Sequence, residues 1–140
     1  MVDTESRDVG FKATETVQIT DKMVRQFAEM SGDYNPIHLD DAYAATTRFK
    51  KRIAHGMILG ALTSRFLNEK IGAGGIYLAQ TLKFSNPVYI DDHITFSLEV
   101  VKLHKTRGLG TVETMAKNQN GDFVMKGEAT IMMPWGVKDN

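Results

Sequence analysis

Apolar positions recur along this chain with two different periods. Before about residue 71 helical spacing dominates, and beyond it apolar residues fall at every second position. Phe11 to Ile19, rich in threonine and valine, predicts a first strand. Thr20 then suits a helix N-cap with Asp21 in the first turn. Met23, Val24, Phe27 and Met30 follow at helical spacing up to Gly32, where a helix would stop. Asp33 to Leu39 predicts a loop, because the residue before Pro36 avoids helical geometry. Asp40 or Asp41 can cap a short helix through Tyr43 to Thr47. A long helix is predicted from about Ile53 to about Lys70. Its residues Met57, Ile58, Leu59, Ala61, Leu62, Phe66 and Leu67 cover more than one face, which predicts burial on most sides.

The glycines of Ile71 to Gly75 break that helix, and strands follow. Ile76, Leu78, Leu82 and Phe84 mark one strand, and Ile94, Phe96, Leu98 and Val100 alternate in the next. Val112, Thr114 and Ala116 lead to Asn120-Gly121, a hairpin signal, with Phe123, Met125, Ala129, Ile131 and Met133 alternating behind it. The layout is α+β: a mostly buried helix wrapped by one curved antiparallel sheet. No internal repeat or linker interrupts it, so residues 1–140 read as one domain.

Composition narrows the chemistry. Lysine plus arginine number 17 and aspartate plus glutamate also 17, for a net charge of +0, which argues against a general nucleic-acid binder. Cysteine is absent, excluding disulfides, thiolate metal sites and a thiol nucleophile together. The longest apolar stretch, Gly56 to Leu62, is far too short for a membrane helix, and Met1 to Gly10 lack the apolar core of a signal peptide. The expectation is a soluble cytoplasmic protein, although a processed organellar one fits the same sequence.

Candidate chemistry concentrates in Ser31-Gly32-Asp33-Tyr34-Asn35-Pro36-Ile37-His38, where a carboxylate, an amide and an imidazole fall within six positions. Such a set can hold one water and exchange protons near neutrality; equally, short polar loops use the same residues for turns and packing. His55-Gly56 opens the long helix. A glycine there lets a carbonyl oxygen approach an unpaired amide, or simply lets the helix pack closely. Arg48, Lys50, Lys51 and Arg52 form a basic cluster that fits either phosphate contacts or a solvated surface, and so do Lys102, His104, Lys105 and Arg107. The glycines at 72, 74 and 75 fit no phosphate loop, no nucleophile elbow surrounds Ser31 or Ser64, and His38, Asp40 and His93 lack metal-ligand spacing. No metal and no cofactor is expected.

Three stretches carry a family resemblance: Ser31-Gly-Asp-Tyr-Asn-Pro-Ile-His-Leu-Asp40 with Ala44-Ala-Thr-Thr, Ile53-Ala-His-Gly-Met57, and Tyr77-Leu-Ala-Gln-Thr-Leu-Lys-Phe84 with Pro87-Val88. From about residue 15 to about residue 133 the chain resembles the R-specific enoyl-CoA hydratases of the MaoC-like dehydratase family. The resemblance implies a hot-dog fold, usually dimeric, and reversible syn addition of water to a trans-2-enoyl-CoA. It implies that Asp33 and His38 are the catalytic pair, Asn35 an orienting amide and the Gly56 amide the oxyanion donor. His55, Ser64, Leu67 and Arg52 are expected at the substrate, Ser64 also as a partner of the pair, with Leu67, Met132 or Met133 ending the acyl tunnel. The thioester carrier, coenzyme A or acyl carrier protein, stays open, as does which of Asp33 and His38 is acid. A non-catalytic acyl-CoA-binding domain, a thioesterase on the same fold, and half of a heterodimeric dehydratase are the rival readings.

Overall fold

The computed structural model describes residues 7–133; most of the leader reading at Met1 to Gly10 falls outside them. Five strands form one antiparallel sheet in the order β1-β3-β4-β5-β2: β1 (Lys12–Gln18), β2 (Ile76–Phe84), β3 (His93–His104), β4 (Leu109–Lys117) and β5 (Phe123–Met132). Helices α1 (Asp21–Ser31), α2 (Pro36–Leu39), α3 (Asp41–Ala45) and α4 (Gly56–Phe66) lie between β1 and β2, and α4 runs on into a π-helical turn, Leu67–Ile71.

The period-two pattern decides how β3 and β4 sit. Ile94, Phe96, Leu98 and Val100 are buried, as are Val112, Thr114 and Ala116, while the residues between them face outward. On this concave face lie Ile58, Leu59, Phe66 and Leu67 of the helix, with the Phe66 and Phe96 rings 5.3 Å apart. The helix wrapped by a curved sheet is the hot-dog arrangement that the resemblance implies.

Four differences from the sequence reading have physical causes. Asp33 to Leu39 is not all loop: Pro36 occupies the first turn of α2 and Asn35 caps it, its side chain accepting from the Ile37 amide. The long helix starts at Gly56 rather than Ile53, because Ile53 bridges Tyr89 and the Ala54 amide bonds the Val88 carbonyl, holding residues 53–54 extended. Its burial is one-sided, since Met57, Ala61, Ser64 and Arg65 are exposed. Finally, Met30 lies on the outside of α1, where Val24 and Ala28 supply the buried face.

β2 is an edge strand with an unusual surface. A bulge between Tyr77 and Ala79 breaks its alternation, and Ile76, Leu78 and Phe84 are 55%, 50% and 44% exposed. Beside it, Met57, Gly60 and Ala61 of α4 complete an apolar groove of about 500 Å³.

Candidate active site

The turn after α1 is organised by its own side chains. Gly32 takes a left-handed φ of 79°, which ends the helix. The Ser31 hydroxyl donates to the Phe27 carbonyl and accepts from the Asp33 amide at 3.1 Å, and the Asp33 carboxylate accepts from the Asn35 amide at 3.2 Å. With Asn35 capping α2, His38 is carried inward to 9% exposure, facing the extended residues 53–55.

There His38 Nδ1 donates to the Ile53 carbonyl at 2.7 Å. A carbonyl oxygen only accepts, so this bond fixes the tautomer, and in the neutral ring Nε2 is left bare as an acceptor. The ring stacks on that of His55 at 3.8 Å between centroids, and His55 Nε2 in turn donates to the Asp33 carbonyl at 3.0 Å. A carboxylate oxygen of Asp33 and one ring nitrogen each of His38 and His55 lie within 4.8 Å of one another. One water making two ordinary hydrogen bonds of about 2.8 Å spans such a separation.

These three residues are also the cluster, among the described residues, whose donor atoms could hold a metal ion. The two imidazole planes differ by only 28°, however, and a ring nitrogen's lone pair lies in its plane. Stacked rings therefore aim along nearly parallel lines rather than at one ion. The arrangement suits a water held by acceptors better than a metal.

His38 also lines a cavity of about 270 Å³ together with Gly56, Leu59, Phe84, Asn86 and Arg48. No side chain caps the start of α4, so its first amides are available to a ligand, with the helix dipole behind them. A Cβ on Gly56 would stand 3.0 Å from the Phe84 ring, tighter than ordinary contact, so the glycine lets that ring lie close to the helix start.

Burial pushes the His38 pKa below the ordinary histidine value; the Ile53 carbonyl opposes that, the neighbouring His55 adds to it, and the Asp33 charge opposes it. The ring is therefore neutral at pH 7 and ready to accept a proton. As pH falls below about 6.5 the unfolded chain takes up this proton before the folded one does, so His38 lowers stability progressively down to its folded pKa. Urea midpoints at pH 7 and pH 5.5 check this: the drop should be larger in the parent than in His38→Gln, and equal drops would contradict it.

The MaoC like domain model matches residues 4–121 of the chain. The chain belongs to the MaoC-like domain family. It is 40% identical over 131 residues to the (R)-specific enoyl-CoA hydratase of Aeromonas caviae, covering 93% of this chain and 98% of that protein. Among solved structures, the R-hydratase of Pseudomonas aeruginosa in its unliganded form superposes with a TM-score of 0.87 at 47% identity, covering 91% of this chain and 82% of the other. The (R)-hydratase from A. caviae involved in PHA biosynthesis superposes with a TM-score of 0.90 at 40% identity, over 93% and 99% of the two chains. Among the described residues no helix is long and apolar enough to cross a membrane.

Within this MaoC-like domain the expected site residues separate into three places. Asp33, His38 and His55 come together, and His38 shares its cavity with Gly56. Asn35 sits beside them, but its side-chain oxygen is engaged in capping α2. Ser64 and Leu67 lie elsewhere, lining a second cavity of about 300 Å³ with Tyr77 and Ile131. Met133, expected near the tunnel end, is fully buried.

Arg52, expected at the substrate, is only 7% exposed and pairs with Asp21 at 2.6 Å; its Nε lies 3.1 Å from Asp41 without hydrogen-bond alignment. Those carboxylates turn the guanidinium toward α1 and α3. Arg48, in contrast, reaches the cavity of His38. Phe84, read in the sequence as a strand residue, and Asn86 were not expected at the site; the break at Pro87 was the available signal.

Proposed function

We propose that this chain is an (R)-specific enoyl-CoA hydratase, adding water reversibly to a trans-2-enoyl thioester. The observation that carries this reading is the juxtaposition of Asp33 with a His38 whose Nε2 is bare, in a ring that lines the same cavity as the uncapped helix start at Gly56. One water donates to the Asp33 carboxylate and to His38 Nε2, which leaves its oxygen lone pairs free for C3 of the substrate. As the new C–O bond forms, His38 takes a proton from the water. The alkene electrons move onto the thioester oxygen, which the Gly56 amide and the dipole of α4 stabilise, an effect of roughly 10²–10³ in rate per donor. The proton crosses within the pair, and Asp33 delivers it to C2. Both groups act from one face, so addition is syn, and the pair ends as it began.

The carrier is coenzyme A or an acyl carrier protein, with the pantetheine arm leaving past Arg48, and the enzyme is placed in the cytoplasm. Crotonyl-CoA tests the reaction: loss of enoyl absorbance without thiol release is expected. Thiol release detected with DTNB would favour the thioesterase, and binding without turnover would favour a non-catalytic acyl-CoA domain.

The apolar groove of β2 and α4 is assigned to a second copy of the chain. β2 offers unpaired backbone groups along a nine-residue edge, and exposed apolar edges of this kind associate. Sedimentation should give twice the 15.6 kDa chain mass, and Leu78→Asp should halve it. A monomeric parent at micromolar concentration would refute the homodimer.

A further inference from the structure

His55 is buried to 2% exposure and takes no part in the proton transfers above. Its surroundings are nevertheless specific. Nε2 donates to the Asp33 carbonyl at 3.0 Å, so the hydrogen is on Nε2, and Nδ1 is buried with no hydrogen-bond partner among the described residues. One ring face lies against His38 at 3.8 Å, and Phe27 lies 4.9 Å away. A ring placed only to fill space would not need a directed bond to the peptide of one catalytic residue and a stacked face against the other.

We infer that His55 is a positioning residue that tethers the Asp33 peptide and backs the His38 ring, so that both members of the pair are set by one side chain. This rests on the hydratase reading for its catalytic consequence. Asp33 reaches the site from an exposed turn, and misplacement by about 1 Å costs on the order of 100-fold in rate. The titratable groups facing His38 are Asp33 and His55, with Arg48 on the wall of the shared cavity.

The test compares His55→Leu, His55→Gln and His55→Asn. Leucine should lower kcat for crotonyl-CoA by about 100-fold with KM within about 3-fold of the parent. Glutamine can place an amide N–H where Nε2–H sits, and should recover about 10-fold of that loss; asparagine, too short to reach, should not. In each variant the acid limb of the kcat–pH profile should move upward, because the neighbour that helps hold His38 neutral is gone. Parent-like kcat in His55→Leu, a loss confined to KM, or glutamine no better than asparagine would overturn the inference.

An NMR titration of the His38 ring keeps the two readings separate. It should shift upward in folded His55→Gln whether or not crotonyl-CoA is the substrate, and an unmoved titration overturns the positioning role. Absence of hydration by the parent overturns the hydratase reading instead.

Discussion

His38→Gln is expected to lower kcat for crotonyl-CoA hydration by about 10²–10⁴-fold, the range over which positioned proton transfer acts. Glutamine can occupy much of the same space on α2, with its amide near the Nε2 position, but it offers no nitrogen that accepts a proton near neutrality. Asp33→Asn should lose a comparable amount, because an amide cannot pass a proton to C2. The double variant should lose little more than either single one, since both remove the same transfer. Matching circular dichroism and thermal melts establish that the variants are folded. Turnover near the parent's in either folded single variant would count decisively against the pair.

The second large effect concerns stability. Gly127 lies in β5 opposite Leu82 of β2, where the two strands approach so closely that a Cβ at Gly127 would stand 1.9 Å from the Thr81 carbonyl oxygen. No rotamer relieves a clash between a Cβ and backbone. Gly127→Ala must therefore push β2 away from β5, at a cost of about 3 kcal/mol or more against a total stability of about 5–15 kcal/mol for a domain of this size. The expected fall in melting temperature is about 10 °C, and loss of soluble protein would have the same origin. Gly121→Ala is the control: it meets no atom within 4 Å, though its φ of +82° makes it mildly strained. A Gly127→Ala melt within about 2 °C of the parent would contradict the close packing of these strands.

How much of this was legible beforehand differs by element. β3 and β4 bury every second residue, and that alternation is written directly in Ile94-Phe96-Leu98-Val100 and Val112-Thr114-Ala116. The Thr20 cap and the Gly32 stop were likewise local, as each depends on hydrogen bonds within its own turn. The start of α4 was not, because Ile53 and Ala54 are held extended by Tyr89 and Val88, thirty-four residues or more along the chain. Helical spacing cannot report a partner so distant.

The site divides in the same way. The grouping of Asp33, Asn35 and His38 was visible as a motif, but its orientation was not, since the His38 tautomer is set by the Ile53 carbonyl. Arg52 illustrates the opposite failure. As part of a basic run it resembles a phosphate contact, yet Asp21 and Asp41 claim it through folding, and charge patterning alone does not show which carboxylates arrive.

The most direct test of the central claim is the stereochemistry of the product formed by the parent from crotonyl-CoA in D₂O. A single water held between Asp33 and His38 predicts (R)-3-hydroxybutyryl-CoA carrying one deuterium at C2, on the same face as the new hydroxyl. Anti addition or a racemic product would contradict it, because neither arises from an acid and a base acting together on one side of the double bond; the S enantiomer would contradict the (R)-specific reading, because it requires addition to the opposite face.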